Sequence, residues 1–127
     1  HNLETVSRLY PEVRPQANYQ FSLKVLSEIK RLNRRLLSKS SLLLGMGESK
    51  KEVFATMVDL RKVGCDILVL GQYLAPARGY YPVKEYLSLA QFEVYRKIAG
   101  QLGFKTVLAH PLARTSYQAK EAYQNSQ

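Results

Sequence analysis

Cysteine occurs once in these 127 residues, at position 65. A single thiol forms no internal disulfide, no four-thiolate zinc site and no iron–sulfur cluster, since each needs several sulfur ligands. Cys65 follows Gly64 and sits just before the apolar run Ile67-Leu68-Val69-Leu70, so a buried packing role is expected of it. Long apolar runs are also absent. Those at 42–44 and 67–70 fall far short of the roughly 18 residues that a membrane-spanning helix requires, and no membrane segment is expected. The chain opens on His1 and not on Met, with no charged start leading into an apolar stretch, so no export signal is visible. The dense polar string His1-Asn2-Leu3-Glu4-Thr5 is an odd way to begin a domain, and truncation of a longer protein is the simpler expectation.

Acidic residues are scarce, 10 against 19 lysines and arginines, which leaves a formal charge of +9 and a pI near 9.8. That surplus favours an acidic partner. Nucleic acid is not the expected one. The basic residues are scattered, Arg31, Arg34 and Arg35 being the densest group, and no zinc finger or aromatic RNA-binding motif accompanies them. A solvated basic helix face accounts for that group equally well.

What is present is a globular composition, 46% hydrophobic, long enough for one modest domain with its own core. Phe21, Leu23, Val25, Leu26, Ile29 and Leu32 recur with mostly helical spacing and predict a helix over 19–33. Residues 41–45 read as a short buried strand closed by Gly45-Met46-Gly47. Ser49 with Glu52 three residues on reads as a capping box, opening a helix through Val53, Met57, Val58 and Leu60 that ends near Gly64. A second buried strand is predicted over 66–71, then a Pro- and Gly-bearing loop over 73–86. Ser88 caps a third helix carrying Phe92, Tyr95, Ile98 and Leu102, and a last strand covers 104–109. A polar tail follows Pro111, and no internal repeat or low-complexity run stands out.

Strands alternating with helices predict an α/β fold, a parallel sheet with helices packed outside it, either open or closed like a barrel. Both kinds place function at the C-terminal ends of the strands. Three polar clusters fall there: Asn2/Glu4, Gly45-Met46-Gly47-Glu48 and Gly71-Gln72-Tyr73. Each has a plain structural reading as well: a cap on a following turn for Asn2 and Glu4, an ordinary strand-to-helix turn for Gly45 to Glu48, a packed aromatic for Tyr73. On strand alternation Lys39, Ser41, Leu43 and Gly45 share a face, and a lysine inside a barrel needs an anionic partner.

The strings themselves go further. His1-Asn2-Leu3-Glu4-Thr5-Val6, Arg8-Leu9-Tyr10, Val13-Arg14-Pro15, Lys39-Ser40, Gly45-Met46-Gly47-Glu48, Gly71-Gln72-Tyr73-Leu74 with Pro76, Pro82-Val83 with Tyr86, Gly103-Phe104, Pro111-Leu112 and Arg114-Thr115-Ser116-Tyr117 with Ala119 occur in that order. In this order the chain resembles the C-terminal half of the lipoyl synthases, a family of the radical S-adenosylmethionine superfamily. The resemblance implies the second half of a partial (β/α) TIM-type barrel over 1–109 and a tail over 110–127 carrying the Arg-Thr-Ser-Tyr motif.

It further implies sulfur insertion into an octanoyl chain held on a lysine of a lipoyl domain or of the glycine-cleavage H protein. Two four-iron clusters, S-adenosylmethionine and an electron donor such as ferredoxin or flavodoxin serve that reaction. One reduced cluster cleaves S-adenosylmethionine to a 5′-deoxyadenosyl radical that removes hydrogen, and the auxiliary cluster gives up sulfur. Asn2, Glu4, Lys39, Gly45, Gly47, Glu48, Gln72 and Tyr73 are then expected at the S-adenosylmethionine site, the glycines letting the backbone approach the adenosyl group. Ser116 is expected to ligate one iron of the auxiliary cluster, and Arg114 to stabilise the cluster's negative charge. Bare of the resemblance, Arg114-Thr115-Ser116-Tyr117 is a nondescript polar turn.

The chain departs from the family at Ser41, Ala75, Gly79-Tyr80, His110 and Thr115, and both cysteine sets are missing from it. His110 either crowds the cluster or points outward. By itself the chain is expected to be inactive and marginally stable, because half a barrel leaves an open sheet edge. The resemblance implies a cytoplasmic enzyme in a bacterium and a mitochondrial or plastid one in a eukaryote. Two other readings stand beside it: another radical enzyme such as a biotin synthase, which lacks the Gly-Gln-Tyr-Leu and Arg-Thr-Ser-Tyr strings, or a non-catalytic basic α/β binding module.

Overall fold

Local capping chemistry sets the three long helices in the computed structural model, which describes residues 1–114. Asn18 opens helix α2, Tyr19–Leu32, its side-chain oxygen accepting from the Phe21 N–H at 2.8 Å. Ser49 opens α3, Lys50–Lys62, and Ser88 opens α4, Leu89–Gln101. In both the serine hydroxyl accepts from the third helical N–H, and Glu52 or Gln91 reaches back to the serine N–H. Such a cap contributes about 1 kcal/mol by satisfying donors that the helix itself leaves open. The sequence predicts all three of these helices. A short helix α1, Tyr10–Val13, and the 3-10 turn Ser7–Leu9 before it are additions, too brief to show a period.

Three strands follow the chain order in space, β1 Lys39–Leu44, β2 Ile67–Gln72 and β3 Thr106–Ala109, all parallel. Glu4 adds a parallel bridge to Leu42 on the outer edge of β1: its N–H donates to Ser41 O at 3.0 Å and its carbonyl accepts from Leu43 N–H at 2.9 Å. β1 begins two residues before the expected start. Ser40 and Ser41 are polar yet buried, and Ser40 Oγ accepts from the Leu3 N–H at 3.1 Å, so its hydroxyl is satisfied.

The register decides which face does what. Leu42 lies beside Leu70 and Leu70 beside Ala109, as Ser40 lies beside Leu68 and Leu68 beside Val107. Leu42, Leu44, Leu68 and Leu70 form one core with Leu26 of α2, Val53, Met57 and Leu60 of α3, and Phe92 and Ala99 of α4. Ile67 and Val69, on the opposite face, are buried but lie outside that core. Consecutive parallel strands with all their long helices on one face form an arc of a (β/α) barrel, not a doubly wound sheet, where helices cover both faces. The inner face carries Lys39, Ser41 and Leu43, then Ile67, Val69 and Gly71, then Thr106 and Leu108. Among the described residues no helix is long and apolar enough to cross a membrane.

Cys65 packs in the core at 0% exposure, at the end of the sheet where the strands begin. Burial pushes its thiol up to about 11. Alkylation of Cys65 by iodoacetamide at neutral pH is expected to run at least roughly 100-fold slower in folded protein than in urea, from the thiolate population alone. Comparable rates in the two states, read by mass spectrometry, would contradict the buried position.

Candidate functional site at the strand ends

Glu4 stands at a backbone φ of 71°, the single non-glycine residue with positive φ among the described ones. For a residue with a Cβ this left-handed conformation costs about 1–2 kcal/mol, and it persists only where neighbours hold it. Here the main-chain bonds to Ser41 and Leu43 hold it from one side. Arg14 holds the preceding residues from the other, its Nη1 donating to Asn2 O at 3.2 Å, to Leu3 O at 3.1 Å and to the Tyr10 hydroxyl at 3.1 Å. Among the described residues the Glu4 carboxylate takes no hydrogen bond or ion pair, so it is available to a ligand.

Gly45 to Glu48 close β1. The Glu48 carboxylate folds back onto the turn, accepting from the Gly45 N–H at 3.0 Å and the Met46 N–H at 3.0 Å. Gly45 has φ 103°, and a Cβ there would stand 2.3 Å from Glu85 O and 2.4 Å from Gln72 Nε2. The protein's own loop therefore makes a close approach at position 45 that by itself requires glycine. Gly47 has φ 100° with nothing nearer than Lys84 Cγ at 3.6 Å, and it is exposed.

Arg8 braces this turn from outside. It donates to Gly47 O at 3.0 Å and grips Glu52 with two bonds, at 2.7 and 3.0 Å. Those bonds and the Ser49 N–H hold Glu52 down to about 2, from an ordinary 4.5. A depressed folded value means that the contribution is present above pH about 4.5 and is lost as pH falls toward about 2. Glu52→Gln, which keeps the capping acceptor, is therefore expected to flatten acid sensitivity across that window. Urea midpoints of both proteins at several pH values check it, and identical pH profiles would refute it.

Gln72 and Tyr73 end β2, and both side chains are engaged within the protein. Gln72 is 4% exposed; its Nε2 donates to Tyr73 O and to Glu85 O, both at 2.9 Å, and its Oε1 accepts from the Leu87 N–H at 3.0 Å. By parity its side chain shares the outer, helix-facing side of β2 with Leu68 and Leu70. There it anchors the loop 73–88. Tyr73 donates its hydroxyl to Tyr81 O at 2.6 Å, and Tyr81 donates to Met46 O at 3.1 Å, so that loop is stitched to the glycine turn.

Lys39 begins β1, at the other end of the strand from Gly45, roughly 20 Å away at 3.3 Å per residue. Shared parity with Ser41 and Leu43 holds, but the strand's length separates Lys39 from the mouth. Arg114 is at the mouth. Its Nη2 donates to Gln72 O at 3.0 Å and its Nη1 to Ala113 O at 2.7 Å and Pro111 O at 3.3 Å, so it grips carbonyls. His110 is exposed, and its Nδ1 accepts from the Leu112 N–H at 3.0 Å. Thr115 and Ser116 lie outside the described residues.

The structure thus brings Glu4, the 45–48 turn, the end of β2 and Arg114 to one rim, and leaves Lys39 out. Arg8 and Arg14, which the sequence reading quotes only inside matched strings, are the residues that brace the rim. Their partners include Glu52 and Asn2, 44 and 12 positions away, separations that show no local pattern. Among the described residues no group of three or more His, Cys, Asp or Glu side chains is arranged to hold a metal ion. Cys65 is at the opposite end of the sheet, so this part of the wall brings no thiolate to the rim.

An arc of parallel strands with helices outside, edged by Glu4 on strained backbone beside β1, is one part of a (β/α) fold. No family model matches the chain. Curated relatives do: it is 49% identical over 121 residues to the lipoyl synthase of Caldicellulosiruptor saccharolyticus, 95% of this chain and 42% of that protein. It is 50% identical over 119 residues to that of Vesicomyosocius okutanii, covering 94% and 38%, and 48% identical over 122 residues to that of Aquifex aeolicus, covering 96% and 44%. Nearly the whole chain is thus the counterpart of the C-terminal part of lipoyl synthases. It spans about two-fifths of the length of the curated relatives it matches.

Proposed function

We propose that the chain is the C-terminal wall of a lipoyl synthase, which inserts two sulfur atoms into an octanoyl chain carried on a lysine of a lipoyl domain or H protein. The observation that carries this reading is the meeting of Glu4, the 45–48 turn and Arg114 at one rim of a barrel arc whose sequence follows the lipoyl synthases throughout. When bound, S-adenosylmethionine and two four-iron clusters supply the radical and the sulfur, with a ferredoxin or flavodoxin as electron source. This chain's share is to bind and to orient. Glu4, with Asn2 beside it, offers acceptors for the hydroxyl and ammonium groups of S-adenosylmethionine. The inner face suits a hydrocarbon chain, because Leu43, Ile67, Val69 and Leu108 line it. The positive charge suits docking of an acidic carrier domain.

Ser116 is the residue assigned to the auxiliary cluster. In the complete protein, reconstituted with iron and sulfide, Ser116→Ala is expected to lose a large share of its iron while keeping its fold by circular dichroism. Iron and product both at wild-type levels would take Ser116 out of the site and this reading with it. A biotin synthase or a plain binding module is disfavoured by the ordered run of lipoyl synthase strings, Gly71-Gln72-Tyr73-Leu74 and Arg114-Thr115-Ser116-Tyr117 among them.

A further inference from the structure

Where β3 ends, the ladder to β2 does not stop. His110 N–H donates to Leu70 O at 3.1 Å and Gln72 N–H to Pro111 O at 3.1 Å, so two more residues run alongside β2. The chain then turns, closed by the Ala113 N–H on His110 O at 2.9 Å, and Ala113 is 2% exposed. Gly71 shows where it goes. A Cβ at Gly71 would stand 2.2 Å from Ala113 O and 2.7 Å from Arg114 Nη1. By parity Gly71 points to the inner face with Val69 and Ile67. The segment after β3 therefore crosses over the lip of the sheet onto the inner side, through the gap left by the missing side chain.

Arg114 closes that crossing. Its guanidinium lies on three main-chain carbonyls, two in its own segment and one at the end of β2. A planar fork satisfies several carbonyls in fixed directions, which an ammonium on a flexible stem does not. Gln72 is the common post. Its main chain holds this segment and its side chain holds the loop 73–88, with Gly45 packed against the amide.

We infer that Gly71, Gln72 and Arg114 form a clamp that turns the chain after β3 over the lip of the sheet onto its inner side, with Arg114 a positioning residue acting through main-chain geometry and not through its charge on a cluster. The inference deepens the proposed function and rests on it for the role of Ser116, but the clamp has a readout of its own.

The test uses the complete protein as wild type, Gly71→Ala, Arg114→Lys, Arg114→Gln and Ser116→Ala. In cluster-free protein, amide exchange at Gln72 and Ala113 is expected to rise about tenfold or more in Gly71→Ala and Arg114→Lys, because their acceptors move away, and to stay unchanged in Ser116→Ala. After reconstitution, Arg114→Lys is expected to lose iron to the same extent as Ser116→Ala, while S-adenosylmethionine affinity stays within about twofold of wild type. Full iron in Arg114→Lys with loss in Arg114→Gln would show that charge matters and the fork does not, and would overturn the clamp. Unchanged exchange in both clamp variants would overturn it as well. Loss of iron in Ser116→Ala alone would remove the clamp and leave the proposed function standing. Full iron in Ser116→Ala with faster exchange in the clamp variants would do the reverse.

Discussion

Gly45→Ala is expected to destabilise the complete protein by about 3 kcal/mol or more, against about 1 kcal/mol for Gly47→Ala. Both positions have nearly the same positive φ, 103° and 100°, so both substitutions place a Cβ in a left-handed backbone. They differ in what that Cβ meets. At Gly45 it meets the Glu85 carbonyl and the Gln72 amide, one a main-chain atom and the other held by three hydrogen bonds. Neither gives way without opening the base of the loop 73–88, because Lys84 N–H and Glu85 N–H both donate to Gly45 O. At Gly47 the nearest neighbour is the flexible stem of Lys84. Denaturant midpoints of the two variants check the difference. Equal losses would mean that backbone conformation alone makes position 45 glycine.

The second large effect is expected far from the rim. Asp66 is 5% exposed where β2 begins; its carboxylate accepts from the Ser38 N–H at 2.9 Å and pairs with Lys30 Nζ at 2.5 Å. Its main-chain carbonyl accepts from Lys105 N–H at 2.8 Å, so α2, β1, β2 and the start of β3 meet on one residue. Asp66→Ala leaves the Ser38 N–H and the largely covered Lys30 ammonium without their acceptor, and about 3–5 kcal/mol is expected to be lost. Asp66→Asn keeps a carbonyl for Ser38 and is expected to cost about half as much. Unfolding of wild type, Asp66→Ala and Asp66→Asn gives the comparison. A loss below about 1 kcal/mol for Asp66→Ala would show that the pair is solvated and contributes like a surface bridge.

These two residues mark how unevenly the molecule is legible from its sequence. Ser49 with Glu52, Ser88 ahead of Gln91, and the spacing of Leu23, Leu26 and Ile29 are local signals, because a helix satisfies its own backbone within four residues. The sequence placed these helices closely. The start of β1 was hidden, because Ser40 and Ser41 are buried polar residues whose acceptable burial depends on neighbours such as Leu3, distant in the chain. At the site, Glu4 and the glycine turn were found at the strand ends as expected. The outward direction of the Gln72 side chain was not legible, because parity is readable only once Leu68 and Leu70 are known to face the helices.

The order of strings along the chain was enough by itself to settle the α/β class, the three long helices and the kinship with lipoyl synthases, since caps, periods and motifs are properties of neighbouring residues. Only the tertiary structure decided that Gly45 and Gly71 are glycines for the sake of the protein's own chain, that Arg114 holds carbonyls, and that Lys39 stands away from the mouth. Those facts depend on which strands lie side by side and in what register, and a residue's neighbours across a parallel sheet come from a crossover dozens of residues long.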